Sequence, residues 1–150
     1  MDAELSALYR DLIIDHNKSP RNFRTLEPPR AEAEGYNPLC GDRLTVYVRL
    51  KDDHIEEATF QGSGCAISVA SASLMTESLR GKTPEEAQAL FEKMHGLLTG
   101  GGATPNLDEL GKLGALSGVK AYPSRVKCAT LAWHTLQSAL AGTAEPVTTE

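Results

Sequence analysis

The sequence predicts an α+β fold, a small antiparallel sheet of about three strands covered on one face by helices. Strict alternation of apolar and polar side chains marks 44–50 as a strand, and 55–61, across a short polar turn, reads as its hairpin partner. From Ala66 onward the apolar residues recur mainly at helical spacing. Strands therefore cluster early and helices follow in a run, the pattern of a sheet with its helices on one side.

Segment 2–18 sets Leu5, Leu8, Leu12 and Ile13 on one helical face, with Asp2 as N-cap and Pro20 just past the end. Pro20, Pro28, Pro29 and Pro38 make 19–39 a wrapping loop, with one short strand near 30–34. In 44–50, Leu44, Val46, Val48 and Leu50 alternate with Thr45, Tyr47 and Arg49, which gives one buried face and one mostly wet. The polar turn Lys51-Asp52-Asp53-His54 joins this strand to 55–61 as a hairpin. Antiparallel pairing then puts Leu44 opposite Gln61 and Cys40 opposite Cys65. Gly62 and Gly64 permit the turn into a helix over 66–79, whose Ala and Ser residues allow close packing on the sheet and which Gly81 ends. Thr83-Pro84-Glu85-Glu86 caps the next helix, carried on by Ala87, Leu90, Phe91 and Met94. A glycine-rich excursion from Gly100 to Gly118 holds one short helix, with Asn106 as cap and Leu107, Leu110 and Leu113. The last helix follows Pro123, with Ser124 as cap, and runs through Val126, Leu131, Leu136 and Leu140 to Gly142. Residues 1–142 are expected to form a single domain, and 143–150 a disordered tail.

Composition narrows the function. Twenty acidic residues against 15 basic ones give a formal charge of −5 with no long run of either sign, so nucleic acid is not an expected partner. No stretch approaches the roughly 18 unbroken apolar residues of a membrane span, and the start, Met1-Asp2-Ala3-Glu4, lacks the features of a secretion signal. A cytoplasmic protein with no membrane partner is expected. Three widely spread cysteines suit metal or sulfur chemistry better than a disulfide framework.

The hairpin would bring Cys40, Asp42 and Cys65 together at its open end, and Cys128 could complete a set of three sulfurs and one oxygen. Such donors suit zinc or an iron–sulfur cluster and do not suit magnesium or calcium. Thiolates are the ligands and nucleophiles, and Cys65 at a helix start and Cys128 in a first helical turn are placed where free backbone N–H groups favour them. Arg125, three residues before Cys128, could offset the excess negative charge and bind a sulfur leaving group; Lys127 is the weaker candidate. A carboxylate in place of a fourth thiolate makes the set more exchangeable than an all-thiolate structural zinc site, which favours transfer over a purely structural role in the fold. His16, His54, His95 and His134 show no ligand spacing to the cysteines. Gly100 to Gly102 lacks the ending of a phosphate loop.

With these residues assembled, the chain resembles the NifU/IscU-like family of iron–sulfur cluster assembly proteins over nearly its whole length. The resemblance is carried by Leu-Ile-Ile-Asp-His-Asn-Lys-Ser-Pro-Arg-Asn-Phe ending at Phe23, by Asn37-Pro38-Leu39-Cys40-Gly41-Asp42, by Phe60-Gln61-Gly62-Ser63-Gly64-Cys65-Ala66-Ile67-Ser68, and by the cysteine of the final helix. Within the family it is similar to the SufU subgroup. Lys127 stands where the IscU scaffold type has a His, Ala121-Tyr122-Pro123-Ser124-Arg125 replaces its chaperone-binding motif, and residues 100–118 match the subgroup's insertion. The resemblance implies zinc held by Cys40, Asp42, Cys65 and Cys128, and a sulfur acceptor that takes persulfide from a pyridoxal-phosphate cysteine desulfurase of SufS-like type and stimulates it. It further implies that a desulfurase histidine displaces Cys40 from zinc, that Cys40 and Arg125 act in the transfer, and that the sulfur passes on to an assembly scaffold or a thiol reductant. The alternative implied function is an IscU-type scaffold on which a [2Fe-2S] cluster is built and transferred.

Overall fold

The computed structural model describes residues 3–27, 31–38, 41–99, 112–116, 123–142 and 147–148. The chain runs α1 (Ala3–Lys18), β1 (Ala31–Asn37), β2 (Asp42–Lys51), β3 (His54–Ser63), α2 (Ala66–Leu79), α3 (Pro84–Thr99), α4 (Pro123–Ala141) and β4 (Val147–Thr148). The sheet order is β3-β2-β1-β4. The three longer strands are antiparallel, while β4 adds in parallel to β1 through Gly35↔Val147 and Tyr36↔Thr148. Helices α2 and α4 lie on one face, with α1 packed on α2 and α3 on α4. The expected α+β architecture with one covered face is therefore present.

Local chemistry explains the hairpin. Asp52 and Asp53 both have positive φ, 52° and 63°, the type I′ turn whose twist matches that of paired strands; aspartate tolerates this conformation better than most residues. Lys51↔His54 and Leu50↔Ile55 pair as the sequence suggests, but Arg49 faces Glu57, so Glu56 is an extra residue in a β-bulge. Beyond it the register is shifted by one, and Leu44 pairs with Gly62 instead of Gln61. The bulge is the reason the simple pairing rule fails: it leaves Leu50 exposed while Leu44, Val46 and Val48 stay buried. The opposite face is not wholly wet, since Tyr47 and its cross-strand partner Thr59 are also buried.

The capping box before α3 is formed as expected. The Thr83 hydroxyl accepts from the Glu86 N–H at 3.1 Å, and the Glu86 carboxylate accepts from the Thr83 N–H at 3.0 Å. The Thr83 N–H first, and then the Thr83 side chain, hold the Glu86 carboxyl below its usual range. Two helix and tail expectations need correction. Helix α4 starts at Pro123 itself, because a proline at the first helical position sacrifices no needed N–H, so Ser124 is inside the helix and not its cap. Beyond residue 142, Val147–Thr148 are paired to the β1 edge, where the expected tail had no structure. In the glycine-rich excursion, residues 112–116 form a 3-10 turn that buries Leu113, Ala115 and Leu116; the expected helix around Asn106, Leu107 and Leu110 lies outside the described residues. Among the described residues, no helix is long and apolar enough to cross a membrane.

Candidate metal and sulfur centre

Three elements deliver the site. Asp42 opens β2, Cys65 immediately precedes α2, and Cys128 lies within α4. Their ligand atoms all lie within 4.8 Å of one another. Asp42 and Cys128 are fully buried and Cys65 is half-buried. Cys40, the fourth predicted ligand, lies outside the described residues. Both described cysteines are free thiols.

Each side chain is held by its element. Asp42 Oδ1 accepts the Cys65 N–H at 2.8 Å, so the carboxylate ties the start of β2 to the strand-to-helix turn. That contact needs Gly64, where a Cβ would stand 2.5 Å from Asp42 Oδ1. Cys65 is the N-cap of α2: its backbone is extended, at φ −70° and ψ 165°, and its Sγ accepts the Ser68 N–H at 3.4 Å. A helix start that favours a sulfur anion is thus realised at Cys65. It is not realised at Cys128, which sits six residues into α4, beyond the first four N–H groups that lack helical partners. What Cys128 has instead is the side chain of Asn37, whose Nδ2 lies 3.7 Å from Cys128 Sγ and 3.5 Å from Asp42 Oδ2. Asn37 was visible in the sequence only as part of a motif. Its role depends on the pairing Asn37↔Asp42, which puts the two on neighbouring strands.

The other predicted participants make no recorded contact with the cluster among the described residues. Arg125 is exposed on α4, three residues before Cys128. The histidines are separate from the cluster, as their spacing suggests: His16 bonds Ser73, His54 bonds the Asp52 carbonyl, and His95 and His134 touch each other and Phe91. Burial pushes the imidazoles of His16 and His134 below the usual range.

Two sulfurs and a carboxylate oxygen at this spacing fit a tetrahedral thiophilic ion, whose bonds of about 2.3 Å to sulfur set the sulfurs apart by about 3.8 Å. An oxygen-seeking ion such as magnesium would not choose this set. Fold and site together define a class, a small α+β domain that gathers thiolates and one carboxylate at the open end of a hairpin. Residues 8–141 match the family described as NifU-like N terminal domain, and the chain belongs to that family. It is 41% identical over 140 residues to the zinc-dependent sulfurtransferase SufU of Bacillus subtilis, covering 93% of this chain and 94% of that protein. It is 39% identical over 138 residues to the iron-sulfur cluster assembly scaffold protein IscU of Streptococcus pyogenes, covering 92% and 86%. Among solved structures, an iron-sulfur cluster assembly scaffold protein for the SUF system from Fervidobacterium islandicum superposes with a TM-score of 0.82 at 34% identity, over 93% of this chain and 99% of that one.

Proposed function

We propose that this chain is an iron–sulfur cluster assembly protein that works as a zinc-bound sulfur acceptor and carrier for a cysteine desulfurase. The observation that carries the reading is the convergence of Asp42, Cys65 and Cys128 from three separate elements, two of them fully buried. Cys40, two residues before Asp42 in the sequence, is the fourth ligand in this reading. Zinc bound there supplies charge compensation for the thiolates without redox chemistry of its own.

The chemistry assigned to the chain is a persulfide exchange. The Cys40 thiolate attacks the outer sulfur of a persulfide on the desulfurase; the S–S bond breaks, the desulfurase cysteine leaves as a thiolate, and Cys40 becomes the persulfide. Cys65 and Asp42, joined through the Cys65 N–H, and Cys128 stay in place meanwhile. Arg125, exposed on the helix that carries Cys128, is assigned to meeting the incoming or outgoing anionic sulfur. The likeness to a protein named as a zinc-dependent sulfurtransferase supports this reading. The likeness to proteins named as scaffolds supports a second, in which the same residues hold a [2Fe-2S] cluster. The partners proposed are a pyridoxal-phosphate desulfurase upstream and an assembly scaffold or thiol reductant downstream.

The test is metal content of freshly purified protein together with desulfurase turnover in its presence. About one zinc per chain and a stimulation lost in Cys40→Ala is the expected result. A coloured cluster that passes to an apo-ferredoxin, with no stimulation of the desulfurase, would replace the carrier reading with the scaffold one.

A further inference from the structure

Asn37 is fully buried at the end of β1, and two of its groups make three contacts at and beside the site. Its backbone carbonyl accepts the Gly41 N–H at 2.9 Å. Its side-chain nitrogen lies 3.5 Å from Asp42 Oδ2 and 3.7 Å from Cys128 Sγ. An amide nitrogen carries two hydrogens, so one group can serve a carboxylate and a sulfur together. These are long contacts, of the kind that orients ligands more than it binds them. A neutral donor also has an advantage over a lysine or arginine here: it supports two anionic ligands without repelling a bound cation. Asp42 Oδ1 is meanwhile held by the Cys65 N–H, so both carboxylate oxygens are directed.

Resting on the metal-centre reading above, we propose that Asn37 is a positioning residue. It fixes Asp42 and Cys128 as the anchored side of the site. Outer-shell partners of this kind typically contribute about 10–100-fold to metal affinity. The bland alternative is that Asn37 is a space-filling residue whose amide happens to sit near sulfur.

Asn37→Leu separates the two, since it keeps the volume and removes the donor. Full-length protein is loaded with zinc for chelator competition and with cobalt for its sulfur-to-metal absorption, and the zinc form is alkylated in pulses with each cysteine read by mass spectrometry. The expected results are about 10–100-fold weaker zinc binding in the variant, an altered cobalt spectrum, and Cys128 alkylation that rises toward the rate of Cys40. In wild type, Cys40 is expected to react first. A variant with wild-type affinity and unchanged alkylation order overturns the proposal and leaves the metal centre intact. Should the variant fail to fold, the wild-type order still decides, because Cys128 reacting as fast as Cys40 contradicts an anchored Cys128. Wild-type protein that binds neither metal overturns the metal-centre reading itself.

Discussion

The Asp42 carboxylate is positioned partly by what Gly64 lacks. A Cβ there would stand 2.5 Å from Asp42 Oδ1 and 3.0 Å from its carboxyl carbon, and Asp42 is fully buried. Gly64→Ala is therefore expected to push the carboxylate off the Cys65 N–H, destabilise the fold by about 1–3 kcal/mol through overpacking, and weaken zinc binding. Urea unfolding and chelator competition check the two effects. Wild-type zinc affinity in this variant would remove Asp42 from the ligand set. Asp42, Cys65 and Cys128 were legible in the sequence because each residue type carries metal chemistry, and two of them flank one hairpin. Asn37 was not. Its contribution exists only once β1 is paired with β2, and the short strand expected near 30–34 stops before Asn37, because Gly35 and Asn37 have little strand propensity to carry it on.

Among the elements, α4 matters most, because it carries Cys128 across β1 and β2. It approaches β1 at Gly35, where a Cβ would fall 2.0 Å from Thr135 Oγ1 and 3.0 Å from Leu131 Cδ1. Gly35→Ala should therefore displace the helix and lower the melting temperature, by the equivalent of about 1–3 kcal/mol. A melting temperature within experimental scatter of wild type would show that the two surfaces can slide apart freely. On its other side α4 meets α2 through Trp133, whose Nε1 donates to Ser71 Oγ at 3.1 Å, while the Ser71 hydroxyl donates to the Ala129 carbonyl at 2.6 Å. Ser71→Ala leaves the buried indole N–H and that carbonyl without their hydroxyl, an expected cost of about 1–3 kcal/mol, read by urea unfolding followed through the one tryptophan. Helix α2, the cap of α3 and both long strands were legible from periodicity, capping residues and turn chemistry. The bulge at Glu56 and the start of α4 were not read: the bulge shows in the sequence only as the doubled polar pair Glu56-Glu57, which the simple pairing rule passes over, and a proline can precede a helix or open it.

Across the whole molecule, two histidines far from the sulfur cluster couple stability to pH. His16 is fully buried between α1 and α2, with Nδ1 2.6 Å from Ser73 Oγ. Ser73 Oγ also accepts the Arg21 N–H at 2.8 Å, so its own proton is free to face His16 Nδ1, and Nε2 then carries the imidazole hydrogen toward Glu77, 3.4 Å away. Burial lowers the His16 pKa most; the charges of Arg21 and Lys112 lower it further, against the opposing pull of Glu77 and Asp15. His134 is lowered by burial first and then by the charge of His95, its ring neighbour at 5.8 Å. Both are neutral in the folded state at a pH where the unfolded chain has begun to protonate them. Above the unfolded histidine value of about 6.5 they contribute no pH dependence, whereas below it the unfolded state binds protons that the folded state refuses. Stability should therefore hold level from about pH 8 to 7 and fall as the pH drops below about 6.5, with a slope of at most about 1.4 kcal/mol per pH unit for each histidine. The decline ends once the pH passes below the folded values. Asp15 and Glu86, whose carboxyls are held low by the Arg21 fork and by Thr83, respond only in a more acidic range and do not blur this window. Urea midpoints measured through Trp133 across the range test the slope, and His134→Phe, which keeps an aromatic ring against Phe91, should remove one histidine's share of it. A midpoint that stays flat down to about pH 5 would mean that both imidazoles accept protons in the folded protein as readily as in the unfolded chain.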